Sequence, residues 1–307
     1  MKIVIAGGSG FLGRPLCTAL VGDGHEVVVL TRGGQAQARL PGGTRGVTWD
    51  VARALSPWAA EIDGADAVIN LAGESIAGHR WTAAQKRRIE DSRVTATRRL
   101  ATAIGEAAAP PAVFISGSAV GFYGPCGSEI VTEETGAGHD FLAGVCRRWE
   151  GQAVAASSGR TRVVCVRTGL VLAPDGGALP SLLPPFKLGI GGRLGSGRQY
   201  WPWIHRTDWL NLVRFLIDAP GAVGAVNATA PTPVTNAEFT AELGRALGRP
   251  TYIPVPRLAL RILLGEMADP LLLSGQRATP VKAQQLGFTF TYPLLSLALD
   301  AVLHHGV

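Results

Sequence analysis

The chain opens with a strand that runs into a glycine loop and straight on into a helix, and that arrangement limits the fold more than anything after it. Lys2–Ala6 is short, apolar and β-branched, and Gly7-Gly8-Ser9-Gly10-Phe11-Leu12-Gly13 follows at once. Leu12, Leu16, Ala19 and Leu20 then recur at helical spacing. Glycine permits the tight turn and lets the backbone approach a pyrophosphate, and Gly13 lets helix and strand pack closely. The helix N-terminus presents free N–H groups and its positive dipole end to phosphates. A plain glycine-rich turn has no need of this strand–loop–helix placement. The loop is therefore expected to hold a dinucleotide cofactor against Gly7, Gly10, Phe11, Leu12 and Gly13.

The alternation continues downstream. Glu26–Thr31, Val47–Trp49, Ala65–Ala72, Val113–Ser116 and Arg162–Arg167 read as short strands rich in Val and Ile, with little polar alternation. Parallel strands covered on both faces have this pattern. Leu142, Val145, Trp149 and Ala153 mark one helical face, and Ile89, Ala96, Leu100 and Ala103 mark another. Repeated βα units predict an α/β fold with a doubly wound parallel sheet of Rossmann type. Arg93 falls on the apolar side of its helix. An inward guanidinium needs a partner, because burying an unpaired charge is costly. It snorkels to solvent, pairs with a core carboxylate, or contacts cofactor or substrate.

After residue 170 the pattern changes. Residues 173–205 are Gly/Pro-rich with little periodicity and read as a long functional loop. Trp209–Asp218 and Asn236–Leu247 read as helices, the second with Thr235 or Asn236 as N-cap. Val223–Ala228 reads as a strand returning to the sheet, and 250–307 as a helical tail broken by prolines. The expected division is a cofactor-binding domain over 1–172, joined by 223–228, and a partly interleaved lobe over 173–307.

The end of the second strand selects the cofactor. An acid there bonds the ribose 2′-hydroxyl of NAD, whereas an arginine suits the 2′-phosphate of NADP. Here the segment is Leu30-Thr31-Arg32-Gly33, with no acid nearby. Arg32 offers a charge-assisted phosphate contact, so NADP(H) is expected.

The formal net charge of +6 raises nucleic acid as a partner. The densest cluster, Lys86-Arg87-Arg88 with Arg93, Arg98 and Arg99, has no interleaved aromatics and reads as a solvated helix face. No nucleic-acid partner is expected. No apolar run is long enough to cross a bilayer, and no signal peptide precedes the glycine loop. The expectation is therefore a cytoplasmic chain without a membrane partner. Cys17, Cys126, Cys146 and Cys165 lack Cys-x-x-Cys spacing and read as reduced thiols, and the histidines show no metal-ligand spacing.

The spacing Gly7, Gly10, Gly13, with the segments GGSGFLG at 7–13, NLAGESIAGHRW at 70–81, SR at 92–93, SGSAVGFYG at 116–124, DFLAGVCRRWE at 140–150, RTGLVL at 167–172, GSGRQYWPWIH at 195–205 and LLLSGQRATP at 271–280, resembles the extended short-chain dehydrogenase/reductase superfamily. More narrowly, the chain looks like its atypical epimerase group with a DUF1731-type C-terminal region. The resemblance spans almost the whole chain. It implies a small C-terminal lobe over the cofactor cleft. It also implies NADP(H) contacts from the glycine loop, Thr31-Arg32, Leu71-Ala72 with the adjoining Gly73, Arg88, Arg93 and Val171. Extended relatives often form homodimers through sheet-flanking helices.

Catalytic members of that superfamily use Tyr-x-x-x-Lys on the helix after the fifth strand. Four residues beyond Tyr123, Tyr200, Tyr252 and Tyr292 stand Gly127, Ile204, Pro256 and Ser296, so the pair does not occur. Leu142 and Cys146 occupy the aligned places, and neither is an ordinary general acid. Ser118 is a candidate substrate contact or a turn and cap residue. Tyr123 and His205 are candidate substitute acids, with a structural hydrogen bond as the other reading of His205. Trp201 and Trp203 wall a pocket or glue the lobes together. Glu74 contacts the nicotinamide end or pairs with Arg80 or Arg93. Two functions follow as expectations: an NADP(H)-dependent oxidoreductase or epimerase-like enzyme acting on a small molecule, or an NADPH-sensing binding protein.

Overall fold

The computed structural model describes residues 1–51 and 57–305, apart from the side chains of Gln35 and His305. In chain order the strands and helices are β1 (Lys2–Ala6), α1 (Gly13–Gly22), β2 (Glu26–Thr31), α2 (Gln35–Ala38), β3 (Thr44–Thr48), β4 (Ala67–Asn70), α3 (Ala83–Glu106), β5 (Val113–Ala119), β6 (Ile130–Val131), α4 (Phe141–Val154), β7 (Arg162–Thr168) and β8 (Leu170–Leu172). Then come α5 (Leu179–Lys187), β9 (Tyr200–Trp201), β10 (Trp203–His205), α6 (Arg206–Asp218), β11 (Gly224–Ala228), β12 (Val234–Thr235), α7 (Asn236–Leu247), α8 (Arg257–Leu264), β13 (Arg277–Ala278), α9 (Val281–Gln285) and α10 (Leu295–Asp300).

Seven strands form one parallel sheet in the order β11-β7-β5-β4-β1-β2-β3. This is the doubly wound α/β arrangement the sequence predicts. The sheet alternation explains why its strands read as unbroken apolar runs. Ile3, Ile5, Val27 and Val29 face a core completed by Leu16 and Leu20 of α1 and by Trp209, Leu212 and Leu216 of α6. Val4, Ala6, Val28 and Leu30 face the other core, completed by Ala96, Leu100 and Ile104 of α3 and Ala153 of α4. Strand order reverses between β1 and β4, and the crevice beyond their carboxyl ends is where open α/β sheets bind ligands.

The stretch 173–205 departs from the expected irregular loop. It contains α5 and the short strands β9 and β10. Leu179, Leu182, Leu183 and Phe186 lie at helical spacing and join the lobe core with Trp203 and Phe239. Pro184 and Pro185 inside α5 hide that period in the sequence, yet burial of the apolar face holds the helix. The lobe is fastened back to the sheet domain after β5. The Cys126 N–H donates to the Gly275 carbonyl at 3.2 Å, the Gln276 side-chain amide donates to the Gly124 carbonyl at 2.8 Å, and β13 pairs with β6.

Candidate functional site

The first part of the site is backbone. Gly7 has φ +84°, and a Cβ there would lie 2.6 Å from the Leu71 carbonyl carbon. A Cβ on Gly13 would run into the Gly7 carbonyl oxygen and lie 2.7 Å from the Gly8 Cα. Glycine is therefore required at both positions. The loops after β1 and β4 touch here, at the reversal of strand order, and the Leu71 N–H donates to the Ala6 carbonyl at 2.8 Å. The glycine loop that leads into α1 thus lies against the Leu71–Ala72 peptide. A dinucleotide pyrophosphate fits this cradle.

Two further segments complete the edge. Thr31 is buried at the end of β2, with its Oγ1 accepting from the Gly33 N–H at 3.2 Å. Arg32 is exposed and has no hydrogen bond or ion pair among the described residues. On the other side the half-buried Phe11 ring packs under Gly176 and Gly177, where a Cβ on Gly176 would meet its Cε2 at 2.6 Å. Val171, buried in β8, pairs with Ile204 of β10 in this layer.

Arg93 is half-buried beneath the loop after β4. Its Nη1 donates to the Ile89 carbonyl at 3.0 Å, its guanidinium lies 5.3 Å from the Trp149 ring, and a Cβ on Gly73 would sit 3.1 Å from its Cζ. No carboxylate lies within ion-pair distance among the described residues. Burial pushes its pKa down, and the Cys146 thiol and Glu74 partly offset this. The guanidinium is therefore held by the Ile89 carbonyl and the Trp149 ring rather than by a core carboxylate. Arg88 is tied instead to the Gln85 side-chain oxygen, 3.0 Å from its Nε. Gln85 itself is fully buried, with an Nε2 that has no partner among the described residues; nothing in the sequence singled it out.

The structure puts Ser118 and Tyr123 into one buried network. The Ser118 hydroxyl donates to Glu150 Oε1 at 2.6 Å, and Glu150 accepts from both Nε and Nη2 of Arg167 at 2.9 Å. Arg167 Nη1 donates to the Tyr123 hydroxyl at 3.0 Å, and that hydroxyl donates to Asn227 Oδ1 at 2.7 Å. The Arg167 guanidinium also lies 3.5 Å from the Phe122 ring centroid. Burial pushes the Tyr123 pKa up, against the pull of Arg167. Burial also works against the Arg167 charge, but its hydrogen bonds and ion pair with Glu150 outweigh that and raise its pKa. Glu150, Arg167 and Asn227 were missed in the sequence. Only the inward helical position of Glu150, one turn past Cys146, hinted at a role.

His205 is fully buried, and its ring caps α6, with Nδ1 accepting from the Thr207 N–H at 3.1 Å. Burial, with help from Arg206, pushes its pKa down to about 4. The ring is neutral near pH 7 and carries its proton on Nε2, which has no partner among the described residues. It lies 3.9 Å from the Tyr292 ring. His205 and Tyr123 thus belong to different layers, and neither hydrogen-bonds Ser118.

Where the dyad would align, the site is apolar. Leu142 joins a cluster with Ile76, Trp81 and Phe141 and with Leu264, Met267 and Leu271 of the lobe, which covers that place with apolar side chains. Cys146 is buried and its thiol is pushed up to about 12, first by burial. Trp201 packs on Phe239 in the lobe core, and Trp203 is fully buried there. Among the described residues no cluster of metal-ligating side chains occurs.

A model of the NAD-dependent epimerase/dehydratase family matches residues 3–228, and one for a domain of unknown function (DUF1731) matches 255–302. The chain belongs to the NAD-dependent epimerase/dehydratase family. An epimerase family protein of Mycobacterium bovis is 41% identical over 97% of the chain and 96% of that protein. The human epimerase family protein SDR39U1, solved with NADPH, is 34% identical, covers 98% of this chain and 99% of its own, and superposes with a TM-score of 0.87. A UDP-glucuronic acid 4-epimerase from Bacillus cereus, solved with UDP-glucuronic acid and NAD, shares the fold at a TM-score of 0.79 and 17% identity, covering 98% of both chains. The family placement agrees with the glycine cradle, the sheet order and the C-terminal lobe.

Proposed function

We propose that this family member binds NADP(H) along the C-terminal edge of its sheet and acts on a small molecule as an epimerase-like oxidoreductase without a tyrosine–lysine dyad. The observation that carries the reading is a cradle too crowded for any side chain at Gly7 and Gly13, together with an exposed Arg32 at the end of β2 that has no ion-pair partner among the described residues and no neighbouring acid in its turn. The NADPH found in the human relative supports it.

In this reading Gly7, Gly10, Phe11, Leu12 and Gly13 hold the pyrophosphate together with Leu71, Ala72 and Gly73. Thr31 and Arg32 take the 2′-phosphate, and Arg88, Arg93 and Val171 line the remainder. Bound NADP(H) supplies or accepts a hydride at the nicotinamide. Arg93 brings a permanent positive charge close to Cys146, where the dyad lysine would stand, and balances negative charge growing on a substrate oxygen. Ser118, Tyr123 and His205 take supporting parts: Ser118 and Tyr123 hold the Glu150–Arg167 pair in place, and His205 caps α6.

Residues 1–172 with 223–228 serve as the cofactor-binding domain and 173–307 as the lobe. The reading also includes a cytoplasmic protein and a homodimer through α3 and α4, the latter checked by sedimentation. A sensing role is the second reading. The hydrogen bonds that already occupy Ser118 and Tyr123 favour it, because neither of these two hydroxyls is then free for proton transfer.

Deuterium transfer separates the two readings. The protein is incubated with each C4-deuterated stereoisomer of NADPH and a small-molecule cell extract. Label in a product supports the enzyme. Tight NADPH binding without label, and without exchange of substrate hydrogen, assigns the sensor.

A further inference from the structure

Helix α8 leaves most of its apolar surface uncovered. Leu258, Ile262 and Leu263 are 68%, 69% and 67% exposed, while only Leu260 and Leu264 turn inward. Just before the helix, Tyr252 is 90% exposed and Ile253 is also exposed. A second segment runs alongside: Gly192 and Leu194 bridge to Tyr252 and Val255, and this segment carries the exposed Leu188 and Ile190. Seven large apolar side chains on two adjacent segments form a surface that a monomer in water does not ordinarily present.

The charges beside it choose the partner. Lys187 adjoins Leu188, Arg249 precedes Tyr252, and Arg257 and Arg261 lie on α8 itself. The nearby acids are already engaged, Asp269 by Arg261 and Arg257, and Glu266 by Lys86. Lys187 and Arg249 have no carboxylate partner among the described residues. A second copy meeting this face about a two-fold axis would bring these cations together. An anionic surface would pair with them.

We propose that the face formed by α8, Tyr252-Ile253 and Leu188–Ile190 docks on an anionic lipid bilayer, with the apolar side chains at the headgroup boundary and the cations on the phosphates. Tyr252 suits that boundary through its apolar ring and polar tip. No span is required, and no helix of the described chain is long and apolar enough to cross a membrane. Docking also bears on the cleft. Arg80, in the segment after β4, donates to the Ile262 and Leu263 carbonyls at 2.7 and 2.5 Å. The lipid-facing helix is thereby tied to the rim of the cofactor edge.

Vesicle flotation of the full chain tests this, using phosphatidylcholine vesicles with and without phosphatidylglycerol. Wild type is expected to float with the anionic vesicles about tenfold more than with the neutral ones, and less as salt rises. Leu258→Ser/Ile262→Ser is expected to lose that binding while its unfolding midpoint and circular dichroism stay those of wild type. Lys187→Glu/Arg249→Glu is expected to lose only the anionic preference. Wild type that stays unbound, or equal binding by the serine variant, overturns the proposal. So does a concentration-dependent dimer, formed without vesicles and abolished by the serine variant, which would assign the face to a second copy.

Discussion

The Ser118 hydroxyl donates a hydrogen bond to Glu150 across 2.6 Å, and the same carboxylate grips Arg167 through both oxygens. The serine at the end of β5 is thereby committed to an ion pair inside the protein. Helix α4 carries Leu142 and Cys146 where proton-transfer groups would stand. One turn further on, it contributes a half-buried carboxylate that ties β5 to β7.

Breaking that ion pair should be expensive. Glu150→Gln leaves the Arg167 charge buried without its counterion and should lower stability by about 3–5 kcal/mol in urea unfolding. Tyr123→Phe removes one neutral hydroxyl from the same network and should cost about 1–2 kcal/mol. Equal costs would show that the Glu150–Arg167 pair is not the dominant element.

Arg93 should behave oppositely. Its charge is half-buried and has no carboxylate within ion-pair distance among the described residues, so the Ile89 carbonyl and the Trp149 ring offset only part of its desolvation cost. Arg93→Met should raise the thermal midpoint while weakening NADPH affinity about tenfold, a trade typical of functional sites. A lower midpoint would mean that the guanidinium is structural.

Gly13→Ala tests the cradle. A methyl group there meets the Gly7 carbonyl and Gly8 Cα, so α1 must move away from β1. NADPH binding should fall beyond detection in calorimetry, whereas Gly22→Ala, with nothing within 4 Å of its Cβ position, should bind as wild type.

His205 sets a pH dependence. Its folded pKa of about 4 lies below the ordinary 6.5, so the unfolded chain takes up this proton first. Stability should therefore fall as pH drops from about 6.5 to about 4, by about 3 kcal/mol from this group. His205→Asn keeps a capping side chain and should flatten that part of the curve. An unchanged slope in urea midpoints between pH 7 and pH 4 would remove His205 as the cause.

Much of this architecture is visible in the chain before folding. β1, β2 and α7 run over the residues that their apolar patterns and caps predict, and Thr235 with Glu238 forms a full capping box. The glycine loop was legible because strand, turn and helix signals coincide there. α5 was not, since Pro184 and Pro185 mask a period that only the lobe core reveals. The Glu150–Arg167–Tyr123–Asn227 network was also hidden. Its members come from α4, β7, the turn after β5 and β11, and only the sheet order makes them neighbours. His205 was visible as a titratable ring, but its burial and capping role depend on where α6 begins.

In the proposed function Arg32 reads a 2′-phosphate at the end of β2. Titration of wild type and Arg32→Ala with NADPH and NADH by calorimetry tests it directly. The substitution is expected to weaken NADPH binding by about 10–100-fold and to change NADH binding by less than about threefold, since only NADPH loses a charge-assisted contact. Equal losses for both nucleotides would contradict it.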